Sequence, residues 1–128
     1  LNSGNDRGRV YRIAPDGFKQ PPLPTLGKAS TAELVQTLAH PNGWHRDTAA
    51  RLLSERQDKS AVTGLKALLQ NPARARGHIH ALHTLEGLGS LEINDMLQGS
   101  KSPDAGARAA AVALLERQTS SEHSLSVL

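Results

Sequence analysis

The chain has 128 residues, enough for one domain with a continuous core if its structural units stack on one another. Only three residues are aromatic, so the core must consist mainly of Leu, Ala, Val and Ile, which favours closely packed helices. A formal charge of +3 without a dense Lys/Arg tract is poor evidence for nucleic-acid binding. The lack of cysteine excludes disulfides, Cys-based zinc sites and covalently attached haem from these residues, and no apolar run approaches the ~20 residues of a membrane span.

The first 29 residues are predicted to be extended. Residues 1–8 are polar and Gly-rich, lack a signal-peptide pattern and look like the interior of a longer protein. The alternating GRVYRI sequence predicts a short strand, either left from an upstream β-domain or lying extended on the helices. From Phe18 to Lys28, three prolines predict a polyproline-like linker between domains, with docking on an aromatic-lined partner as the alternative.

The strongest signal is a repeat of 31 residues. HPNGWHRDTAARLL, which starts at His40, begins as a turn and continues as an amphipathic helix, and its turn recurs at Pro72 and Pro103, 31 residues apart each time. A fixed period of this size, with one helix on each side of the proline, predicts a helical-hairpin repeat. We therefore expect hairpins at residues 30–56, 58–89 and 90–118, and the start of a fourth at 119–128.

Each hairpin has its own helix signals. Ser30-Thr31-Ala32-Glu33 is a capping box that begins the first helix, and Thr119-Ser120-Ser121-Glu122 predicts another that begins the fourth unit. The helices after the prolines are expected at residues 44–56, 73–88 and 104–118. Apolar residues at helical spacing predict the buried face. They are Leu34, Val35, Leu38, Ala49, Leu52 and Leu53, then Val62, Leu65, Leu68, Leu69, Ala81, Leu82, Leu85 and Leu88, and finally Leu91, Ile93, Met96, Leu97, Ala111, Val112, Leu114 and Leu115.

The second helices share a skeleton. The motif R-x-x-A-x-x-x-L begins at Arg46 and again at Arg108, whereas His78 takes the Arg position in the second hairpin. The small Ala lets neighbouring helices approach, and the Leu fills the layer between them. This pattern resembles HEAT-like repeats. The predicted fold is all-α, an α-α superhelix of about three HEAT-like hairpins at residues 30–128, preceded by an extended segment at residues 1–29.

A longer series of motifs carries a closer resemblance. GRVYRIAPDGFKQPPLP, ASTAELV, HPNGWHRDTAARLLSERQDKSAV and HALHTLEGLG follow one another within residues 8–118. Their order resembles planctomycete-type membrane-bound dehydrogenase proteins, in which a β-propeller precedes HEAT-like repeats and a c-type cytochrome domain often ends the chain. The resemblance implies that GRVYRI is the last propeller strand, that residues 18–29 join it to the repeats, and that the protein is extracytoplasmic, either periplasmic or secreted.

The same resemblance implies no catalytic residue and no cofactor within these residues. The family's dehydrogenase chemistry belongs to the propeller, and its haem needs Cys-x-x-Cys-His. This sequence contains neither.

Polar residues near the starts of the second helices are the candidate surface residues. Trp44 is expected to staple the entering turn to the next element, and Arg46 and Asp47 to tie loops together. Arg46, His78 and Arg108 are candidates for a polar ladder between hairpins. Trp44 and its neighbour His45 are not repeated in the other hairpins, so they are the first candidates for a binding feature specific to the first hairpin.

His80 and His83 are the candidate metal ligands, since they lie about 60° apart around a helix. Their spacing falls short of established metal motifs and a third ligand is missing, so packing or hydrogen bonding of His80 at a helix contact is the favoured alternative. Exposed cations, among them Lys66, Arg74 and Arg76, are predicted to form a solvated face.

The resulting functional prediction is a non-catalytic scaffold or protein-interaction domain of a larger dehydrogenase-like protein, which presents a concave row of second helices to a partner. One alternative is a module that positions a dehydrogenase propeller against a c-type cytochrome for electron transfer. Another is a nucleic-acid-binding HEAT-like module. The expected partner is a protein or a neighbouring domain of the same chain, without nucleic acid and without membrane insertion.

Overall fold

The computed structural model describes Gly8 and residues 11–19, 21–22 and 24–125; of residues 120–125 it describes the backbone. Six α-helices form within this part of the chain. They are α1 (Thr31–Thr37), α2 (Gly43–Arg56), α3 (Ala61–Leu69), α4 (His78–Gly87), α5 (Ile93–Gly99) and α6 (Ala105–Leu125). A 3-10 helix at Leu26–Lys28 precedes α1, and another at Pro72–Gly77 precedes α4.

Consecutive helices pair as hairpins, and the hairpins stack in chain order. α1 packs on α2, α3 on α4 and α5 on α6. Contacts of α3 with α1 and α5 form one layer, and contacts of α4 with α2 and α6 form the other. The fold is therefore all-α and repeat-like, which confirms the predicted fold class.

The 31-residue period is also the register of the core. One equivalent position in the first helix of each hairpin is at most 1% exposed, and it holds Leu34, Leu65 and Met96. The small position of the second helices is fully buried in all three hairpins, and it holds Ala49, Ala81 and Ala111. Because small side chains let helix backbones approach, this position allows neighbouring helices to pack closely.

Three of the residues predicted to be buried are exposed. Ile93 and Leu97 on α5 and Val112 on α6 are 51%, 45% and 47% exposed. Leu97 and Val112 correspond in register to Val35 and Leu82, which pack against the following hairpin. Within the described residues no hairpin follows α6, so the same positions in the third hairpin have nothing to pack on.

The second hairpin contains one extra residue between its proline and its helix. Ala49 and Ala111 follow their prolines by eight residues, whereas Ala81 follows Pro72 by nine. The 3-10 helix accommodates this insertion, with Arg74 in a non-helical conformation at φ −110° and ψ 23°. The α-helix consequently begins at His78, later than the predicted residue 73.

The strand predicted at GRVYRI is wrong for its described residues. Residues 11–15 form neither helix nor strand, and the side chains of Tyr11 and Ile13 are 77% and 102% exposed. A strand needs a neighbour with which to pair its backbone, and the described residues supply none. Arg9 and Val10 lie outside the described residues. The linker expected to lack helix contains one 3-10 turn, at Leu26–Lys28.

The fourth unit predicted at residue 119 does not begin there. α6 continues without a break to Leu125. The hydroxyl of Thr119 donates to the carbonyls of Leu115 and Glu116, at 3.2 and 3.0 Å, so it is bonded within the helix and does not cap a new one. Residues 126–128 lie outside the described residues. None of the described helices is long and apolar enough to cross a membrane.

Candidate functional site

The three turns that contain the repeated prolines are tied by one recurring contact. Arg46 Nη1 donates to the carbonyls of His40 and Pro41, at 2.8 and 2.9 Å. Arg108 Nη1 makes the same pair of hydrogen bonds to Ser102 and Pro103, both at 2.9 Å. Each arginine therefore fixes the turn before its own helix to the first turns of that helix.

His78 takes the same role in the second hairpin. Its Nε2 lies 3.0 Å from the carbonyl oxygen of Asn71, the residue before Pro72. A carbonyl only accepts, so Nε2 donates to it, and Nδ1 lies within hydrogen-bond distance of the Ser102 hydroxyl, at 2.8 Å. Ser102 Oγ in turn accepts from the backbone N–H of Asp104 at 3.1 Å. His78 and Ser102 are buried, and the imidazole of His78 joins the second turn to the third.

Trp44 is part of an aromatic cluster next to the first turn. Its ring meets that of His45 edge on at 5.4 Å, and His45 stacks on His40 with ring centroids 4.1 Å apart. Asn42 caps α2 by accepting from the Trp44 backbone N–H at 3.0 Å. The side chain of Trp44 is 57% exposed, and the stapling role expected for it stays a prediction. Trp is enriched among the residues that contribute most to binding in protein interfaces.

His80 lies between the first two hairpins. Its Nε2 accepts from Arg46 Nε at 3.4 Å and lies 3.9 Å from Asp47 Oδ1. Burial lowers the pKa of His80, and although Asp47 acts against this shift, the charges of Arg46 and His83 add to it. Arg46 thus ties its own turn and also reaches the second hairpin, as a ladder residue would.

His80 and His83 have different partners. His83 Nδ1 lies 3.2 Å from Glu86 Oε2, and the other oxygen of Glu86 pairs with Arg117 at 2.8 Å. The described residues contain no group of three or more His, Cys, Asp or Glu side chains that could hold a metal ion. The geometry therefore supplies packing and hydrogen bonds for these two histidines.

A groove of about 1050 Å³ crosses the edge of the stack where the three turns lie. We call it the turn groove. Its described lining comes from the segment before α1, from one side of α1 and from all three turns. These residues are Pro24, Thr25, Leu26, Lys28, Ala29, Glu33, Gln36, Thr37, Ala39, His40, Pro72, Ala73, Arg74, Ala75, Arg76, Pro103 and Asp104.

The charged groups of the turn groove differ in whether they already have hydrogen-bond or ion-pair partners. Glu33 Oε2 accepts from the Ser30 backbone N–H and hydroxyl, both at 2.7 Å, and these bonds lower the pKa of Glu33. Asp104 accepts from the Ala107 backbone N–H at 2.8 Å. The cations Lys28, Arg74 and Arg76 are exposed, and none of the ion pairs found among the described residues includes them.

Sequence reasoning placed Arg74 and Arg76 on a solvated face and did not single out Lys28. The available signal was the PARARG sequence, which begins at the second repeated proline, because equivalent turns of a stacked repeat lie side by side. Lys66, also predicted to be solvated, instead bonds Glu92 at 2.8 Å and lies 3.5 Å from Asp95. It joins the second and third hairpins on the side of the first helices.

Comparison of the chain with protein-family models, with curated proteins and with solved structures gave no significant match. The protein belongs to the class of all-α proteins that are built from stacked helical hairpins. Its three proline-containing turns lie along one edge of the stack.

Proposed function

We propose that this chain is a non-catalytic, HEAT-like scaffold that holds a polypeptide partner along the turn groove. The observation that carries the proposal is that all three turns contribute to one continuous groove. A partner that follows it contacts three successive hairpins, which is how stacked repeats generate extended binding surfaces.

The rigidity of the turns supports this function. The turns are held by Arg46, His78 and Arg108, and the segment before α1 is held by Arg56, which donates to the carbonyls of Ala29 and Gly27 at 2.7 and 3.0 Å. Groups that are ordered before binding lose less conformational entropy when a partner arrives. The groove is therefore a preformed surface. Trp44 and His45 offer additional contact area beside its His40 end.

A display library of random peptides tests the proposal directly. The chain should select peptides, and amide chemical shifts should change along the groove when a selected peptide is added. Ala73→Trp places a large side chain on the groove lining and should abolish binding, whereas Ala113→Trp on the exposed face of α6 should leave it unchanged. Selection of no peptide, or shift changes elsewhere in the molecule, would contradict the function.

The resemblance to dehydrogenase proteins adds a second candidate, in which the scaffold positions a propeller against a c-type cytochrome in an extracytoplasmic protein. The contact of Arg56 with residues 27–29 favours it, because that contact holds the segment before α1 at a set angle to the hairpins. The complete reading frame tests this candidate. An upstream propeller and a downstream Cys-x-x-Cys-His motif are expected, and a frame that lacks both rules it out.

A further inference from the structure

We propose that the partner of the turn groove is an extended acidic segment, whose carboxylates pair with Arg74 and Arg76. The inference rests on the proposed function and adds the chemistry of the partner. It comes from the charges, the shape and the composition of the groove.

Among the described residues, the cations of the groove form no ion pair with a carboxylate. Arg74 and Arg76 lie two residues apart in the 3-10 helix, and Lys28 approaches from the segment before α1. The two carboxylates of the lining, Glu33 and Asp104, already accept hydrogen bonds from their own helix starts. An incoming carboxylate therefore meets guanidinium groups that are free to form charge-assisted, bidentate hydrogen bonds.

The rest of the lining suits an extended chain. Its apolar members are chiefly small Pro and Ala side chains, among them Pro72, Ala73, Ala75 and Pro103. An extended peptide rises by about 3.1–3.4 Å per residue and points successive side chains in different directions. Its acidic side chains can then reach the arginines while the residues between them lie over the small apolar ones.

The same composition disfavours nucleic acid as the occupant. The described lining contains no Phe, Tyr or Trp, and the one aromatic ring in it, that of His40, is already stacked on His45. It combines three Lys/Arg residues with two carboxylates, whereas a phosphate backbone selects a dense, one-signed basic surface.

Fluorescence anisotropy with defined probes tests the inference on the full 128-residue chain. The probe is a labelled peptide of about ten residues in which Glu alternates with Pro, since Pro keeps it extended. A Lys-Pro peptide of equal length and a short single-stranded DNA are the comparison ligands. The Glu-Pro peptide should bind, and its affinity should fall as salt is raised.

Charge reversal then locates the binding. Arg74→Glu combined with Arg76→Glu should weaken binding of the Glu-Pro peptide about tenfold or more, because attraction becomes repulsion. The matched control is Arg51→Glu combined with Lys59→Glu, which changes the net charge equally on exposed positions outside the groove. The control should change affinity by less than about threefold, as expected for screened long-range charge. Circular dichroism establishes that both variants are folded.

Four results would overturn the inference: no binding of the Glu-Pro peptide, equal binding of the Lys-Pro peptide, equal losses in the two double variants, or tighter binding of the DNA. The display experiment separates this inference from the function on which it rests. If peptides are selected and map to the groove but are not acidic, the scaffold function stands and the acidic partner is rejected.

Discussion

A single buried hydroxyl in α4 is out of place in the core. Thr84 is 1% exposed, and its Oγ1 has no hydrogen-bond partner among the described residues. In register it corresponds to Leu52 of α2 and Leu114 of α6. Thr84→Val keeps the shape and removes the unpaired group, so it should raise the free energy of unfolding by about 1 kcal/mol. Urea denaturation measures this change.

Thr84→Ser is the matched control, since it keeps the hydroxyl and removes a buried methyl group. It should lower the free energy of unfolding by about 1 kcal/mol. A Val variant no more stable than the parent would mean that the Thr84 hydroxyl is satisfied in solution.

His80 should make stability depend on pH. Burial, aided by Arg46 and His83 and opposed by Asp47, lowers the pKa of His80 below its usual 6.5 in the folded state. The unfolded state then binds more protons just below pH 6.5, so the free energy of unfolding is highest above that pH and falls as the pH drops towards the folded-state pKa.

The pH dependence is measured by urea denaturation of the parent and of His80→Gln on both sides of pH 6.5. Gln cannot titrate, so the variant should lose less stability than the parent on acidification. If the difference in free energy of unfolding between the parent and the variant stayed constant with pH, the lowered pKa of His80 would be contradicted.

At the scale of the helix, two glycines that each end a helix should respond oppositely to substitution by Ala. A Cβ at Gly99, the last residue of α5, would lie 2.9 Å from Leu82 Cδ1 and 3.1 Å from Ala111 Cβ, both fully buried. Gly99→Ala should therefore lower the free energy of unfolding by about 1–3 kcal/mol. Thermal or urea denaturation gives the value.

Gly87, the last residue of α4, is the control. A Cβ there would meet only Ser54 Oγ, at 3.5 Å, which is ordinary van der Waals contact. Gly87→Ala should raise the free energy of unfolding by up to about 1 kcal/mol, because Ala has the higher helix propensity. Equal effects at Gly87 and Gly99 would contradict the close approach of α5 to its neighbours.

Two capping-box sequences show how far local patterns predict an element. The box at Ser30 forms as predicted, with reciprocal bonds between Ser30 and Glu33. The sequence at Thr119 has the same residue types but follows an unbroken run of helix-forming residues, with no Pro or Gly among residues 107–118. The helix therefore continues, and the Thr119 hydroxyl bonds to backbone carbonyls of the same helix.

At the scale of the whole molecule, stability depends on contacts that cross between hairpins. The hydrogen bond between His78 and Ser102 is a buried one. A double-mutant cycle of His78→Ala and Ser102→Ala should give a coupling free energy of about 1 kcal/mol by urea denaturation. His78→Ala paired with Ser100→Ala should be additive, since the Ser100 hydroxyl donates to the Leu97 carbonyl instead. Additivity in both cycles would argue against the cross-hairpin bond.

The sequence by itself determined the hairpin repeat, its register and nearly all of the core. Pro41, Pro72 and Pro103 mark turns, and the spacing of Leu and Ala around them specifies helices with one buried face, because both signals are local. It also identified Arg46, His78 and Arg108 as equivalent residues. Their targets, the carbonyls before the repeated prolines, became visible only in the folded turns.

Only the tertiary structure decided which residues of different hairpins meet. The turn groove assembles Lys28, Arg74, Arg76 and Pro103 from positions far apart in the chain, and no local pattern records that proximity. The exposure of Leu97 and Val112 could not be predicted from the sequence either. Both are apolar residues at helical spacing, as are their counterparts Val35 and Leu82, which are buried. Apolar residues at helical spacing indicate which face of a helix is suited to burial. That face is buried only where a neighbouring element covers it.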